Sequence, residues 1–386
     1  MLPLPTPHRR LLPIVALTLG LVACSDDDPE VDPCASQPAT CAGYEAMGPY
    51  PVGFQDLDIE GHEVAIFYPT TDDRDACSGD LSYDMRQFLP EEERDLISDD
   101  DAPFFDVHAH MDAPPNTEDQ YPLVFFSHGL AGYRLQSSTL LAHLASWGMV
   151  VVSAEQPERN LSHVLTEFAP DGDNAPDTLA TLVDVFHAGS SDDPDLDALI
   201  AITDADRLAA TGHSMGGNGA QSLLDHPSID AAIFFASSID VPADDPDANP
   251  HDAHLMWQAG GTDRIITANS IRRSYEDAGP PRTLVDLEEA GHLAFSDLCA
   301  IGADRGGILQ IADDAGLDIN PLIVGLGEDG CRDTDLAPDL SWPIIHHYAV
   351  AHLRYAFQID EEPMGLDTPS LSCFDDTVIE LDRQPL

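Results

Sequence analysis

The chain has 386 residues with 70 acidic and 16 basic side chains, a formal net charge of −54, and no lysine at any position. Without lysine there is no Schiff-base or pyridoxal chemistry and no lysine-bearing phosphate loop. The only adjacent cations, Arg9-Arg10 and Arg272-Arg273, argue against nucleic acid as a partner. At 43 % hydrophobic residues the chain is nevertheless apolar enough to fold, and its length suits two or three domains or one large α/β domain with tails.

The N-terminus reads as an address. His8-Arg9-Arg10 precede an apolar run, Leu11 to Val22, that is too short for a permanent membrane helix and suits a secretory signal. The run ends Leu21-Val22-Ala23-Cys24, which resembles a bacterial lipobox, in which the cysteine is acylated and becomes the mature N-terminus. The expectation is an exported lipoprotein, periplasmic or at the cell surface, anchored to a membrane through Cys24; the alternative is a plain signal with an incidental cysteine. Residues 1–23 are then signal, 24–48 an acidic tether, 49–359 the folded domain and 360–386 a polar C-terminal tail. Six further cysteines, Cys34, Cys41, Cys77, Cys299, Cys331 and Cys373, allow three disulfides in an oxidising compartment. Order along the chain suggests Cys299 with Cys331 and Cys34 with Cys41.

From residue 50 the pattern becomes structural. Phe54–Ile59 and Glu63–Tyr68 alternate about Gly61 and predict an antiparallel hairpin. Residues 70–120 are acidic and read as irregular. Continuous apolar strands are expected at 121–127, 149–154, 207–212, 231–236, 254–260 and 282–288. Helices are expected between or after them at 137–147, 175–187, 215–224, 268–278 and 342–357. Buried strands separated by helices predict an α/β fold with a mostly parallel central sheet, helices on both faces and the antiparallel hairpin at its start.

Gly212-His213-Ser214-Met215-Gly216-Gly217 falls between a predicted strand and a predicted helix, the setting a G-x-S-x-G turn requires. Such a turn lifts a serine above the C-terminal edge of the sheet. A serine hydroxyl needs a base, and the base needs an orienting carboxylate. Asp263 follows the strand 254–260 and His292 follows the strand 282–288, so both sit at the same edge as Ser214. Asp240, after the strand 231–236, is the alternative acid. Attack on a carbonyl also needs oxyanion donors, expected from the backbone N–H groups of Leu130 and Met215. His128 reads as a structural loop residue.

Together, SHGLAGYR at 127–134, GHSMGG at 212–217, GGTD at 260–263 and AGHLAFSD at 290–297 resemble the α/β-hydrolase superfamily. The closest likeness is to its branch of platelet-activating-factor acetylhydrolases, bacterial lipases and polyester hydrolases. The resemblance spans about residues 50–357 and implies Ser214 as nucleophile, Asp263 as acid and His292 as base, with the Leu130 and Met215 amides as oxyanion hole. The expected activity is a secreted, lipid-anchored serine esterase or lipase acting on a small-molecule or lipid ester, without cofactor or metal. Acyl transfer or peptide hydrolysis on the same triad, and an inactive hydrolase-fold binding lipoprotein, are the alternatives. One departure matters: where acetylhydrolases tend to show EHRD, this chain has Glu155-Gln156-Pro157-Glu158-Arg159, so phospholipid specificity does not carry over.

Other clusters read more plainly. Asp106, His108, His110 and Asp112 resemble a metal cluster but precede the sheet in a loop. Asp171, Asp173, Asn174 and Asp177 lack the spacing of a calcium loop. His346-His347 read as a core-and-rim pair, and Met215 and Tyr133 as side chains for an acyl pocket.

Overall fold

The computed structural model describes residues 43–71, 78–167, 174–241, 251–366, 374 and 377–385, all within the compact unit Pro33–Leu386. The expected signal and Cys24, with Cys34, Cys41, Cys77, Cys373, Asp171 and Asp173, lie outside the described residues.

The chain opens with a hairpin, β1 (Val52–Ile59) and β2 (His62–Pro69). Its turn places Glu60 and Gly61 at φ 53° and 85°, and Asp58 Oδ1 accepts the Gly61 N–H at 3.0 Å. Two positive φ values in a two-residue loop match the twist of the flanking strands, which is why the hairpin was readable. The segment expected to be irregular holds an antiparallel pair, β3 (Leu81–Asp84) with β4 (Phe104–Val107), and the short β5 (His110–Met111) on the edge of β1. These strands are too short and too charged for a periodicity signal.

Then follow β6 (Tyr121–Ser127), α1 (Ser138–Ser146), β7 (Val150–Ala154), α2 (Leu161–Glu167), α3 (Ala175–His187), α4 (Pro194–Ala201) and β8 (Thr203–His213). After them come α5 (Gly217–Ser222), β9 (Ile229–Phe235), β10 (His254–Gly260), α6 (Ala268–Asp277) and β11 (Arg282–Leu287). The C-terminal third supplies α7 (Gly307–Ala315), α8 (Pro321–Glu328), α9 (Pro338–Ala356) and β12 (Val378–Gln384). The main sheet has ten strands in the order β12-β11-β10-β9-β8-β6-β7-β2-β1-β5. From β7 to β11 neighbours run parallel, and β2 and β12 join antiparallel.

Every residue of β6 and β7 is buried, because helices cover both faces of the sheet. Alternate residues serve the two layers. Val151 belongs to the layer that also holds Leu140 and Leu144 of α1 and Tyr348 of α9. Val150 and Val152 belong to the opposite layer, with Leu179 and Phe186 of α3, Leu199 of α4 and, farther along the sheet, Ile271 of α6. The fold is that of an α/β-hydrolase, as the resemblance of its motifs implied.

Two segments outside the expected folded domain pack with it. The C-terminal tail is not wholly polar coil: β12 closes the sheet beside β11, and Arg272 ties the pair by contacting Asp286 at 2.8 Å and Glu380 at 2.6 Å. Charge blunts an edge strand against aggregation, and the same charge hid it in the sequence. The tether ends before 48. Tyr44 is buried against Trp147, with ring centroids 4.9 Å apart, and its carbonyl accepts from His143 Nε2 at 2.8 Å.

Candidate active site

β6 sits between β7 and β8, and Ser127 pairs with Gly212 across β6 and β8. The loops after these two strands therefore open side by side at the carboxyl edge of the sheet, where open α/β sheets place their ligands. Ser214 stands at φ 55°, a left-handed conformation that a non-glycine residue adopts at a cost. The turn is possible because its neighbours lack side chains. A Cβ on Gly216 would run into the Ser127 carbonyl, and one on Gly212 into the Gly216 carbonyl. Gly129 lies so close that a Cβ there would be 3.1 Å from the Ser214 Cβ.

The three expected side chains converge. Ser214 Oγ is 2.9 Å from His292 Nε2, and His292 Nδ1 is 2.8 Å from Asp263 Oδ2. Asp263 and His292 are buried at 5 % and 1 % exposure, which keeps water from competing for these bonds. The other Asp263 oxygen, Oδ1, accepts the N–H groups of Ile265 and Ile266 at 2.8 Å each, so the carboxylate cannot rotate freely. The alternative acid, Asp240, is engaged elsewhere: its Oδ1 accepts from Ser274 Oγ at 2.7 Å.

Beneath the triad runs a buried polar chain. The Gly129 N–H donates to Gln136 Oε1 at 3.3 Å, and Gln136 Nε2 donates to His213 Nδ1 at 3.0 Å. His213 Nε2 in turn donates to the His292 carbonyl at 3.0 Å. Burial, with His292 nearby, pushes His213 down to about 3, so it stays neutral with Nδ1 free to accept. This chain joins the loop after β6, the serine turn and the histidine loop. Sequence reasoning passed over Gln136 and His213, whose roles arise only from packing.

The two expected oxyanion donors lie at the serine turn and beside it. Leu130 lines the cavity beside Ser214, and Met215 is the second residue of a helical turn, a position whose N–H the helix itself cannot use. The departing loop Glu155–Arg159 braces the Leu130 loop from below. Arg159, fully buried, donates to Ser127 Oγ at 2.8 Å and to the His128 carbonyl at 2.9 Å, and its own carbonyl accepts the Ala131 N–H at 2.9 Å. His128 is buried and accepts the Gln156 N–H at 3.0 Å, a structural place. Asp297, of the AGHLAFSD stretch, is buried and accepts from Ser138 Oγ at 2.6 Å and the Thr139 N–H at 3.1 Å, capping α1 from outside that helix.

The triad opens into an apolar cavity with an empty volume of about 920 Å³, mouth included. Its walls come from Leu89 and Ile97 between β3 and β4, Leu161 and Leu165 of α2, and Ile308, Ile311, Ile323 and Leu326 of α7 and α8. The segment bearing α7 and α8 is an excursion closed at its base by the Cys299–Cys331 disulfide, the pairing that chain order suggested. Neither Met215 nor Tyr133 lines this cavity. Tyr133 is instead buried in the core, stacked on Phe88 at 4.1 Å. His346 and His347 both lie inside, at 7 % and 0 % exposure, so neither is a rim residue. His110 is buried beside Ser78 at 3.4 Å, and among the described residues no group of three His, Cys, Asp or Glu side chains gathers as a metal would require.

A family model described as platelet-activating factor acetylhydrolase, isoform II, matches residues 40–178. The chain has the α/β-hydrolase fold and resembles this branch. The match points to a hydrolase of the esterase and lipase type. It covers the hairpin, β6 with the Leu130 loop, and the Glu155–Arg159 loop; Ser214, Asp263 and His292 lie beyond it, so the candidate triad rests on geometry alone. No curated protein matches the chain.

Proposed function

We propose that the protein is a carboxylic ester hydrolase that works through an acyl-enzyme on Ser214. The observation that carries this reading is the Ser214–His292–Asp263 hydrogen-bond relay at the floor of an apolar cavity. His292 Nε2 takes the Ser214 proton as Oγ attacks the ester carbonyl carbon. The N–H groups of Leu130 and Met215 receive the oxyanion, and collapse of the tetrahedral species expels the alcohol, protonated by His292. A water then gives its proton to His292, attacks the acyl-enzyme, and releases the acid and free Ser214. Asp263 holds the Nδ1–H tautomer and stabilises the imidazolium without itself taking the proton.

The wall chemistry supports an aliphatic acyl chain as the bound part of the substrate. Among the described residues no Asp, Glu or Arg lines the cavity, so a charged acyl group would lose its hydration without a partner there. Export and anchoring through Cys24 belong to the same proposal and rest on the N-terminal sequence. Radiolabelled palmitate should enter the wild-type protein in a bacterial host and not Cys24→Ser.

The decisive experiment is hydrolysis of p-nitrophenyl esters of increasing chain length, with Ser214→Ala alongside. The expected result is a preference for acyl chains over acetate, and loss of about 10⁴-fold or more in kcat for the variant. Wild-type-like turnover by Ser214→Ala would overturn the assignment. An ester product with an added alcohol acceptor would move the reading to acyl transfer.

A further inference from the structure

Asp329 stands at the root of the disulfide-closed excursion, two residues before Cys331, and is 1 % exposed. Three of its hydrogen bonds lead to the site. Oδ1 accepts the backbone N–H of His292 at 2.9 Å, and Oδ2 accepts the backbone N–H of Arg264, the residue after Asp263, at 3.3 Å. Its carbonyl accepts the Leu293 N–H at 2.7 Å. One carboxylate thus grips the acid loop and the base loop at once, from a third segment of chain.

The surrounding packing leaves this grip no slack. Gly330 stands at φ +104°, and a Cβ there would lie 2.7 Å from the Leu293 nitrogen and 2.9 Å from the Ala294 nitrogen. A Cβ on Gly291 would strike the Gly330 backbone and come within 3.0 Å of Asp329 Oδ1. Asp335 Oδ2 accepts the N–H groups of Gly330 and Arg332 at 2.9 and 3.3 Å, and Arg332 lies 3.5 Å from Asp329 Oδ2. A buried carboxylate needs such donors and a nearby cation to remain charged, and each donor it takes fixes a backbone position.

We infer that Asp329 is a positioning residue: it sets the separation of the Asp263 and His292 loops, so the segment that walls the acyl cavity also holds the relay in register. The inference rests on the proposed triad chemistry. It makes the excursion part of the catalytic geometry, because displacing its root displaces both loops. A misplacement of about 1 Å between reacting groups costs about 10²-fold in rate.

The test compares wild type with Asp329→Ala and Asp329→Asn. Asparagine keeps the shape and one acceptor for the His292 N–H but loses an acceptor for the Arg264 N–H, so it carries the test should the alanine variant fail to fold. The expected outcome is a kcat lower by about 10²-fold for Ala and about tenfold for Asn, with KM for a short-chain ester unchanged. The low-field proton resonance of the His292–Asp263 hydrogen bond should shift or broaden in both, a readout that loss of stability alone would not move in folded protein. Fluorophosphonate labelling separates the two ideas. A wild type that fails to label would sink the serine-hydrolase reading and the positioning role with it. A wild type that labels, beside folded Asp329 variants with unchanged kcat and an unchanged resonance, would overturn the positioning role alone.

Discussion

The two sides of the cleft are held in place by different means. Ser214 and the Leu130 loop grow directly from β8 and β6, adjacent strands at the centre of a ten-stranded sheet, and glycines let them touch. Asp263 and His292 follow β10 and β11, nearer the sheet edge, and their loops are joined through Asp329 of an excursion that itself has no strand. The first side is fixed by the hydrogen-bond ladder. The second shares a ladder only as far as Gly260 and Leu287; beyond it the two loops are tied by the Thr262 N–H to the Ala290 carbonyl at 3.0 Å, by the Asp329 carboxylate and by the disulfide at the root of its segment. Evolution of the acyl cavity therefore has room to vary α7 and α8, provided their root keeps its grip.

The largest expected effect comes from breaking the sheet-borne side. Gly216→Ala places a methyl group against the Ser127 carbonyl, and no flexible side chain is there to yield. The turn must shift, moving both Ser214 and the Met215 N–H. We expect kcat/KM to fall about 10³-fold or more, the combined cost of a displaced nucleophile and a lost oxyanion donor. Steady-state kinetics on the folded variant measure it; a loss under tenfold would mean that the strand ladder does not dictate the turn.

A smaller effect should follow from opening the other side. Removing the disulfide with Cys299→Ser and Cys331→Ser frees a closure 32 residues in sequence separation, worth about 3.7 kcal/mol by loop entropy. The cost should be local. Hydrogen exchange is expected to rise in 300–330 and around Leu293, while the amides of β6 and β8 keep their protection. Uniformly faster exchange across the sheet would erase the distinction drawn between the two sides.

The same contrast explains what the sequence disclosed. The sheet-borne parts were legible because continuous apolar runs such as 121–127 leave no alternative to a buried strand, and because the glycines around Ser214 are required by covalent geometry. Asp263 and His292 were legible as strand-end residues in the right order. Asp329 was not. In a chain with 70 acidic residues one more aspartate carries no signal, and its importance lies in two backbone donors that sequence does not place together. α8 went unread, although Asn320 caps the Leu322 N–H and Pro321 stands first in the helix, because its apolar face finds a partner only in the cavity. β12 was hidden by the charge that suits an edge.

The smallest effect distinguishes buried histidines that share an energetic cost but not a location. Burial pushes both His213, under the cleft, and His352, on α9, down to about 3. An unfolded histidine titrates at about 6.5. Between these values the unfolded chain binds a proton that the folded chain refuses, so each group makes stability rise with pH and withdraws it as pH falls from about 6.5 toward 3. Asp297, which burial raises to about 7, has the opposite sign: the folded state binds its proton more tightly, so its contribution is lost as pH rises through that value. His213→Gln and His352→Gln should each flatten the acid limb of the stability curve by about 1.4 kcal/mol per pH unit, measured by denaturant unfolding between pH 4.5 and 6.5. Their kinetics should diverge. His352 bonds the His254 carbonyl, remote from the cleft, and its loss should leave kcat unchanged in folded protein. His213 bonds the His292 carbonyl and Gln136, so its loss should lower kcat at every pH. Equal kcat in the two variants would show that the buried chain from Gly129 to His292 carries stability and no part of the catalytic register.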